Sequence, residues 1–318
     1  WSGVQFRGAF GVALAGLLVP LLISVLSLAT AMPLGTAVAG SLGSWSALLG
    51  SSTSDLLFYR TGMGTDDPLG NLGRMLAVSA VWLALAGCAV FAGRFGRKSQ
   101  GPGAGLLLAL GVLGGLWFAV PVPLWQAAAR PLPLAMLWFA GLAVVALRRA
   151  AGDPAAIYVA VVRLSVAVFA GVLLLKMALN ARVAHYGFAL AMPATLLVST
   201  AMIAWLPSWV ARRGGCGLRS AGVGGGILAA FVAVTIYKSE ARLAEKTIPI
   251  ASGADRFLAD GRGEYVKPAL AAIAKLPGDT MAVFPEGSIL NYLTRRTNPT
   301  PFYNYMPTGF SIFGETPI

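Results

Sequence analysis

AIYVAVVRLSVAVFAGVLLLKMALNARVAHYGFALAMPATLLVSTAMIAWL, residues 156–206, is the stretch whose reading decides the fold. It consists of two apolar runs, 156–175 and 186–206, with a single charged residue, Arg163, inside them. Each run has the roughly 20 residues that a helix needs to cross about 30 Å of hydrocarbon. The segment between them gathers Lys176, Asn180, Arg182 and His185, with Tyr186 opening the second run. Span, polar hinge, span is a helical hairpin in a membrane.

The same pattern extends outward from this hairpin. Further apolar runs occupy 8–32, 75–92, 104–122, 132–147 and 221–237, so the chain reads as an α-helical polytopic membrane protein of about seven spans. The first run is longer than the roughly 7–15 residues of a signal-peptide core and is read as a span. Composition agrees: 57% of the 318 residues are hydrophobic and 11% charged, which excludes a water-soluble globular chain. The net charge of +12 has no basic stripe with interleaved aromatics to grip a nucleic-acid strand, and membrane topology with anionic lipid accounts for it better. Cys88 and Cys216 are too few for a disulfide framework or a metal site.

Orientation follows from Lys and Arg in the connections. With the N-terminus inside, Arg7, Arg94, Arg97, Lys98, Arg148, Arg149, Arg212, Arg213 and Arg219 fall on the cytoplasmic side, against Arg60, Arg74, Arg130, Lys176 and Arg182 outside. Seven spans then leave the tail outside. The expected organisation is a transmembrane domain over 1–237 with an outer loop at 33–74, followed by an extracytoplasmic α/β domain over 238–318. In that tail, 238–246 and 264–276 read as helices, 280–284 as a short strand and 288–296 as a helix. A strand needs partners, and the chain opens at Trp1 without a methionine, so the sequence is expected to be a fragment whose α/β domain is incomplete.

Two segments carry candidate chemistry. The outer loop begins with a Gly, Ala and Ser-rich half suited to lie along the interface, then presents Asp55, Tyr59, Arg60, Asp66, Asp67 and Asn71. Adjacent Asp66 and Asp67 suit a divalent cation or a general base, and equally suit a turn with Asp67 as helix N-cap and Pro68 in the first helical position. In the hinge at 176–186 Lys176 and Asn180 stand four apart, and Arg182 stands three before His185 and four before Tyr186, so each set shares a face if local helix continues, suited to a phosphate at headgroup level; snorkelling of Lys and Arg with a belt tyrosine explains the same charges. Arg163, roughly two turns into its span, either snorkels or meets a buried partner or a headgroup. The glycine-rich run 222–226 reads as helix packing. In the tail Glu286, Asn291, Tyr292 and Arg295 follow a strand, where α/β folds place ligands, although Pro-Glu-Gly is also an ordinary turn.

Three segments together, KMALNARVAHYGFALAMPAT (176–195), FYRTGMGTDDPLGNLGRML (58–76) and LPGDTMAVFPEGSILNYLTRRTNPTPFYNYMP (276–307), resemble bacterial GT-C class membrane glycosyltransferases, those similar to dolichyl-phosphate-mannose-protein mannosyltransferases. They cover under a third of the chain. The resemblance implies a multispan enzyme of the bacterial inner membrane that moves a sugar from a polyprenyl-phosphate donor to an acceptor on the extracytoplasmic face. It implies Lys176, Asn180, Arg182, His185 and Tyr186, with Arg60, as donor contacts, and Asp66 and Asp67 as acid/base candidates. In this class the catalytic acid usually sits in the first outer loop; a fragment that begins after that loop leaves the two aspartates on a later one. A transporter or flippase of lipid-linked glycans, and a non-catalytic membrane subunit, are the competing readings; neither an inverted repeat nor paired broken helices supports the transporter.

Overall fold

The computed structural model describes residues 18–49, 55–95, 127–150, 152–183, 187–300 and 305–306. The chain is a helical polytopic membrane protein. Among the described residues five helical segments are long and apolar enough to cross a membrane: Leu57–Arg94, Ala127–Arg149, Pro154–Met177, Ala189–Arg212 and Gly217–Ala244. The expected span at 104–122 lies outside the described residues, as does the first part of 8–32, whose described part is the apolar helix α1 (Leu18–Ala29). Only 17–33% of each spanning window is buried within the protein, so these helices present apolar side chains outward. Leu83, Leu137, Trp138, Phe169 and Leu196 are examples. Such a surface is stable against lipid tails and costly in water.

Two compact units make up the chain, one of residues 60–248 with 258–261, the other of the remaining segments. In the larger unit α4 (Pro68–Phe95) follows the short α3 (Leu57–Met63), and α5 (Leu132–Arg149) follows a 3-10 turn at Ala127–Ala129. Helix α6 (Pro154–Leu174) begins on a full N-cap: Asp153 accepts the Ala155 and Ala156 N–H groups at 2.9 and 3.2 Å, and Pro154 takes the first helical position. A 3-10 turn, Leu175–Met177, ends it. Helix α7 (Gly187–Thr200) continues through a π turn, Ala201–Trp205, into α8 (Leu206–Arg212). There the Leu206 N–H reaches back five residues to the Ala201 carbonyl, a widening next to Pro207, whose ring lacks an N–H and crowds the preceding turn. Gly214, at φ +82°, stops α8, and α9 (Gly217–Ala244) follows.

Small residues let these helices approach. Ala167, Ala170, Ala191 and Ala194 are buried with Met136, Leu174 and Leu197 in one core, and Leu85, Ala89, Met202, Val223 and Ile227 form a second. With lipid on the outside as apolar as the core, close backbone contact rather than the hydrophobic effect holds such helices together. Gly224 shows the requirement: a Cβ there would sit 2.6 Å from the Met202 carbonyl oxygen, so the glycine-rich run is a packing surface between α9 and the π turn. Trp82 and Phe231 stack across α4 and α9 at 4.9 Å.

In the other unit α1 and α2 (Leu34–Leu49) face each other, with the Ser24 and Ser41 hydroxyls 3.4 Å apart. The tail holds α10 (Gly263–Ile273) and α11 (Ser288–Thr294). The helix expected at 238–246 is the end of α9, which runs to Ala244. The strand expected at 280–284 reduces to one bridge between Thr280 and Thr297, where Met281 N–H and Thr297 N–H are satisfied by Thr297 and Asp279 carbonyls. A two-stranded sheet, β1 (Ile248–Ile250) with β2 (Phe257–Ala259), lies just after α9 instead. Pairing between near neighbours in sequence costs little loop entropy, which favours this ribbon over the longer reach from 280.

Candidate functional site

The N-terminal end of α4 and the approach to α5 lie at the same end of the larger unit, and a set of polar side chains converges there. Arg130, between the 3-10 turn and Pro131, is the hub. Its guanidinium donates to Asn71 Oδ1 at 3.1 Å, to the Leu179 carbonyl at 3.1 Å and to Asn180 Oδ1 at 2.7 Å. A planar fork with donors on two edges is suited to three acceptors at once.

Asn71, 3% exposed, uses its whole hydrogen-bonding capacity. Its Oδ1 accepts from Arg130 and from Arg74 at 3.3 Å, while Nδ2 donates to the Gly64 carbonyl at 3.1 Å and to Asp66 Oδ1 at 3.3 Å. Asn180 spans two segments in the same way, accepting from Arg130 and donating through Nδ2 to the Thr61 carbonyl at 2.8 Å. The segment before α4 is bound to the hinge by the backbone as well. Leu179 N–H donates to the Met63 carbonyl at 3.0 Å, and Gly64, at φ +82°, packs where a Cβ would lie 2.9 Å from Leu179. Only glycine takes this conformation without strain and leaves room for the hinge.

Further charged groups stand around this network. Arg74 donates to Asn71 and Asp66 accepts from it, and Arg182 follows Asn180 by two residues on the hinge. Arg182 is half-buried and Asp66 exposed. Three guanidiniums, Arg74, Arg130 and Arg182, with two carboxylates, Asp66 and Asp67, leave a net positive end, suited to an anion with several oxygens.

The two aspartates separate. Asp67 is the N-cap of α4: its Oδ1 accepts the Gly70 N–H at 3.1 Å, and its other oxygen lies 3.5 Å from Arg74 in an exposed pair that contributes little. Asp66 turns to Asn71 and the Arg130 network. Arg60 stays on its own loop, reaching the Thr65 carbonyl at 3.4 Å. Lys176 is exposed on the 3-10 turn that ends α6. His185 and Tyr186 lie outside the described residues. Among the described residues no group of three or more His, Cys, Asp or Glu is placed to hold a metal ion.

Asn71 and Arg130 enter the sequence reading only as a loop polar residue and a topological charge. Their signal is weak: Arg130 stands alone between apolar runs just before Pro131, and its partners are 59 and 50 residues away. Arg163 meets Trp205, with Cζ 4.8 Å from the ring centroid, so its charge is stacked on an indole within the span.

The tail candidates serve local structure. Asn291 Nδ2 binds the Met281 and Arg296 carbonyls at 2.6 and 3.2 Å, and Arg296 caps the end of α10 through the carbonyls of Ile273, Leu276 and Pro277. Tyr292 donates to Asp255 at 2.8 Å, and Arg295 pairs with the same carboxylate while lying over the Tyr292 ring. Tyr292 and then Asp255 hold the exposed Arg295 guanidinium above its ordinary range. Glu286 is exposed in the turn before α11.

No protein-family model, curated protein or solved structure matches the chain. The chemistry of the site therefore rests on its own geometry.

Proposed function

We propose that the chain is a membrane glycosyltransferase that moves a sugar from a polyprenyl-phosphate donor to an acceptor on the extracytoplasmic face of the bacterial plasma membrane. In this reading the chain has seven spans, the N-terminus is inside, and the tail is an extracytoplasmic α/β domain. The supporting observation is the convergence of Arg130, Asn71 and Asn180 at one end of an apolar bundle, with Arg74 and Asp66 on Asn71 and Arg182 two residues beyond Asn180. A donor with a lipid tail and a charged reacting end requires a cationic site at the edge of the hydrocarbon, and this cluster has that character.

The roles are assigned as the resemblance implies them. Arg182, with Lys176, Arg60, His185 and Tyr186 as further contacts, holds the donor phosphate; Arg130 is a positioning residue, since its donors are taken by Asn71, Leu179 and Asn180. Asp66 takes the proton of the acceptor hydroxyl as the acceptor oxygen bonds to the anomeric carbon. The bond from that carbon to the phosphate oxygen breaks, and the electron pair leaves with the polyprenyl phosphate, whose charge the guanidiniums stabilise.

The test is sugar transfer by the full chain in proteoliposomes from a set of polyprenyl-phosphate sugars. Arg182→Ala should reduce transfer tenfold or more, and Arg182→Lys should restore only part, because the planar fork is lost. A parental protein that carries lipid-linked sugars across the bilayer and transfers none would replace this reading with a flippase.

A further inference from the structure

At the opposite end of the same unit, one indole carries two cations. The Cζ atoms of Arg94 and Arg213 lie 5.2 and 4.9 Å from the centroid of the Trp209 ring, so the two guanidiniums stand within the sum of those distances of each other. Three elements hold them there. The Cys216 N–H donates to the Gly93 carbonyl at 2.7 Å, tying the start of α9 to the end of α4, and a Cβ on Gly93 would lie 2.8 Å from Val210 of α8. Arg219, buried beneath, reaches the Ala92 carbonyl at 3.4 Å and adds a third positive charge.

Acidic residues are scarce in this part of the sequence. Between Asp67 and Glu240 there are fourteen Lys and Arg and one acidic residue, Asp153. That carboxylate is already engaged, accepting the N–H groups of Ala155 and Ala156 at the head of α6. Among the described residues neither Arg94 nor Arg213 has a carboxylate partner, and both are exposed. Two like charges gathered on one ring favour an anion between or beside them. At the end of a bundle whose sides face lipid, the anion at hand is the phosphate of a phospholipid headgroup. A guanidinium stacked on a ring keeps its N–H edges free for phosphate oxygens, and a half-buried tryptophan suits the level where headgroup meets acyl chain.

We propose that Arg94, Trp209 and Arg213 form a binding site for the phosphate of an anionic phospholipid headgroup, separate from the Arg130 cluster and independent of what that cluster does. The experiment is thermal unfolding of the full chain in a neutral detergent, with phosphatidylglycerol, with phosphatidylcholine, or with inorganic phosphate alone. Phosphatidylglycerol should raise the midpoint by several degrees over phosphatidylcholine. The R94Q/R213Q double variant should lose at least half of that gain, and the charge-matched control R242Q/R256Q should keep it. Arg213→Gln alone, at an exposed position, should lose a measurable part. In the parental protein the gain should shrink as salt is raised, a readout that needs no variant to fold. An undiminished gain in R94Q/R213Q or R213Q, no difference between the two lipids, a gain indifferent to salt, or the same gain from inorganic phosphate alone would overturn the proposal.

Discussion

The guanidinium of Arg130 and the side-chain amide of Asn180, 50 residues apart, meet at 2.7 Å, and the same amide donates to Thr61 in α3. One hydrogen-bonded path thus joins three connections of the bundle, and Asn71 adds a second path from Arg130 back to the loop.

Arg130 therefore governs both stability and site geometry. Arg130→Met removes the donor to the Leu179 and Asn180 oxygens and one of the two donors to Asn71, and should cost about 3 kcal/mol; Arg130→Lys keeps the charge, loses the fork and should cost about 1–2 kcal/mol. Thermal unfolding in detergent measures the first effect and donor-dependent transfer the second. Parental stability of Arg130→Met would show that the network does not hold these segments together.

The aspartates should behave differently from each other. Asp67→Asn preserves the cap and should leave folding and transfer nearly unchanged, whereas Asp67→Ala should cost about 1 kcal/mol. Asp66→Asn keeps an acceptor for Asn71 and removes the charge, so transfer should collapse while the unfolding midpoint stays put. Equal, near-parental transfer by both Asn variants would take Asp66 out of the reaction.

Gly64 is constrained twice, by its φ of +82° and by the 2.9 Å that a Cβ would leave to Leu179. Gly64→Ala should destabilise the chain by about 1–3 kcal/mol and disturb the fit of loop to hinge. Unfolding measurements beside Gly62→Ala, a nearby glycine with open space around its Cβ position, give the comparison. Equal midpoints for the two variants would contradict this account of the loop.

Orientation is open to a direct reading. A reporter active only in the cytoplasm, fused after Ile250, should be silent if the proposed arrangement, seven spans with the N-terminus inside, holds. Strong activity there would invert the topology and move the Arg130 cluster to the cytoplasmic side.

The membrane-spanning character of the chain was legible from residues alone, because transfer of a helix into lipid depends on the sum of its own side chains and hardly on their neighbours. The Asp153 and Asp67 caps, like the stop at Gly214, are local in the same sense: each side chain or φ angle acts on backbone within a few residues. Arg130 is different. Its sequence neighbourhood says only that a cation sits before Pro131, and its function depends on Asn71 and Asn180, 59 and 50 residues away. The pairing of Arg94 with Arg213 across Trp209 has the same origin. Like charges do not seek each other in a sequence or in water; they are brought together here because Gly93 and Cys216 dock the end of α4 on the start of α9. Burial of apolar length determined which segments enter the membrane, and close helix packing through Ala and Gly decided which polar residues stand together at their ends.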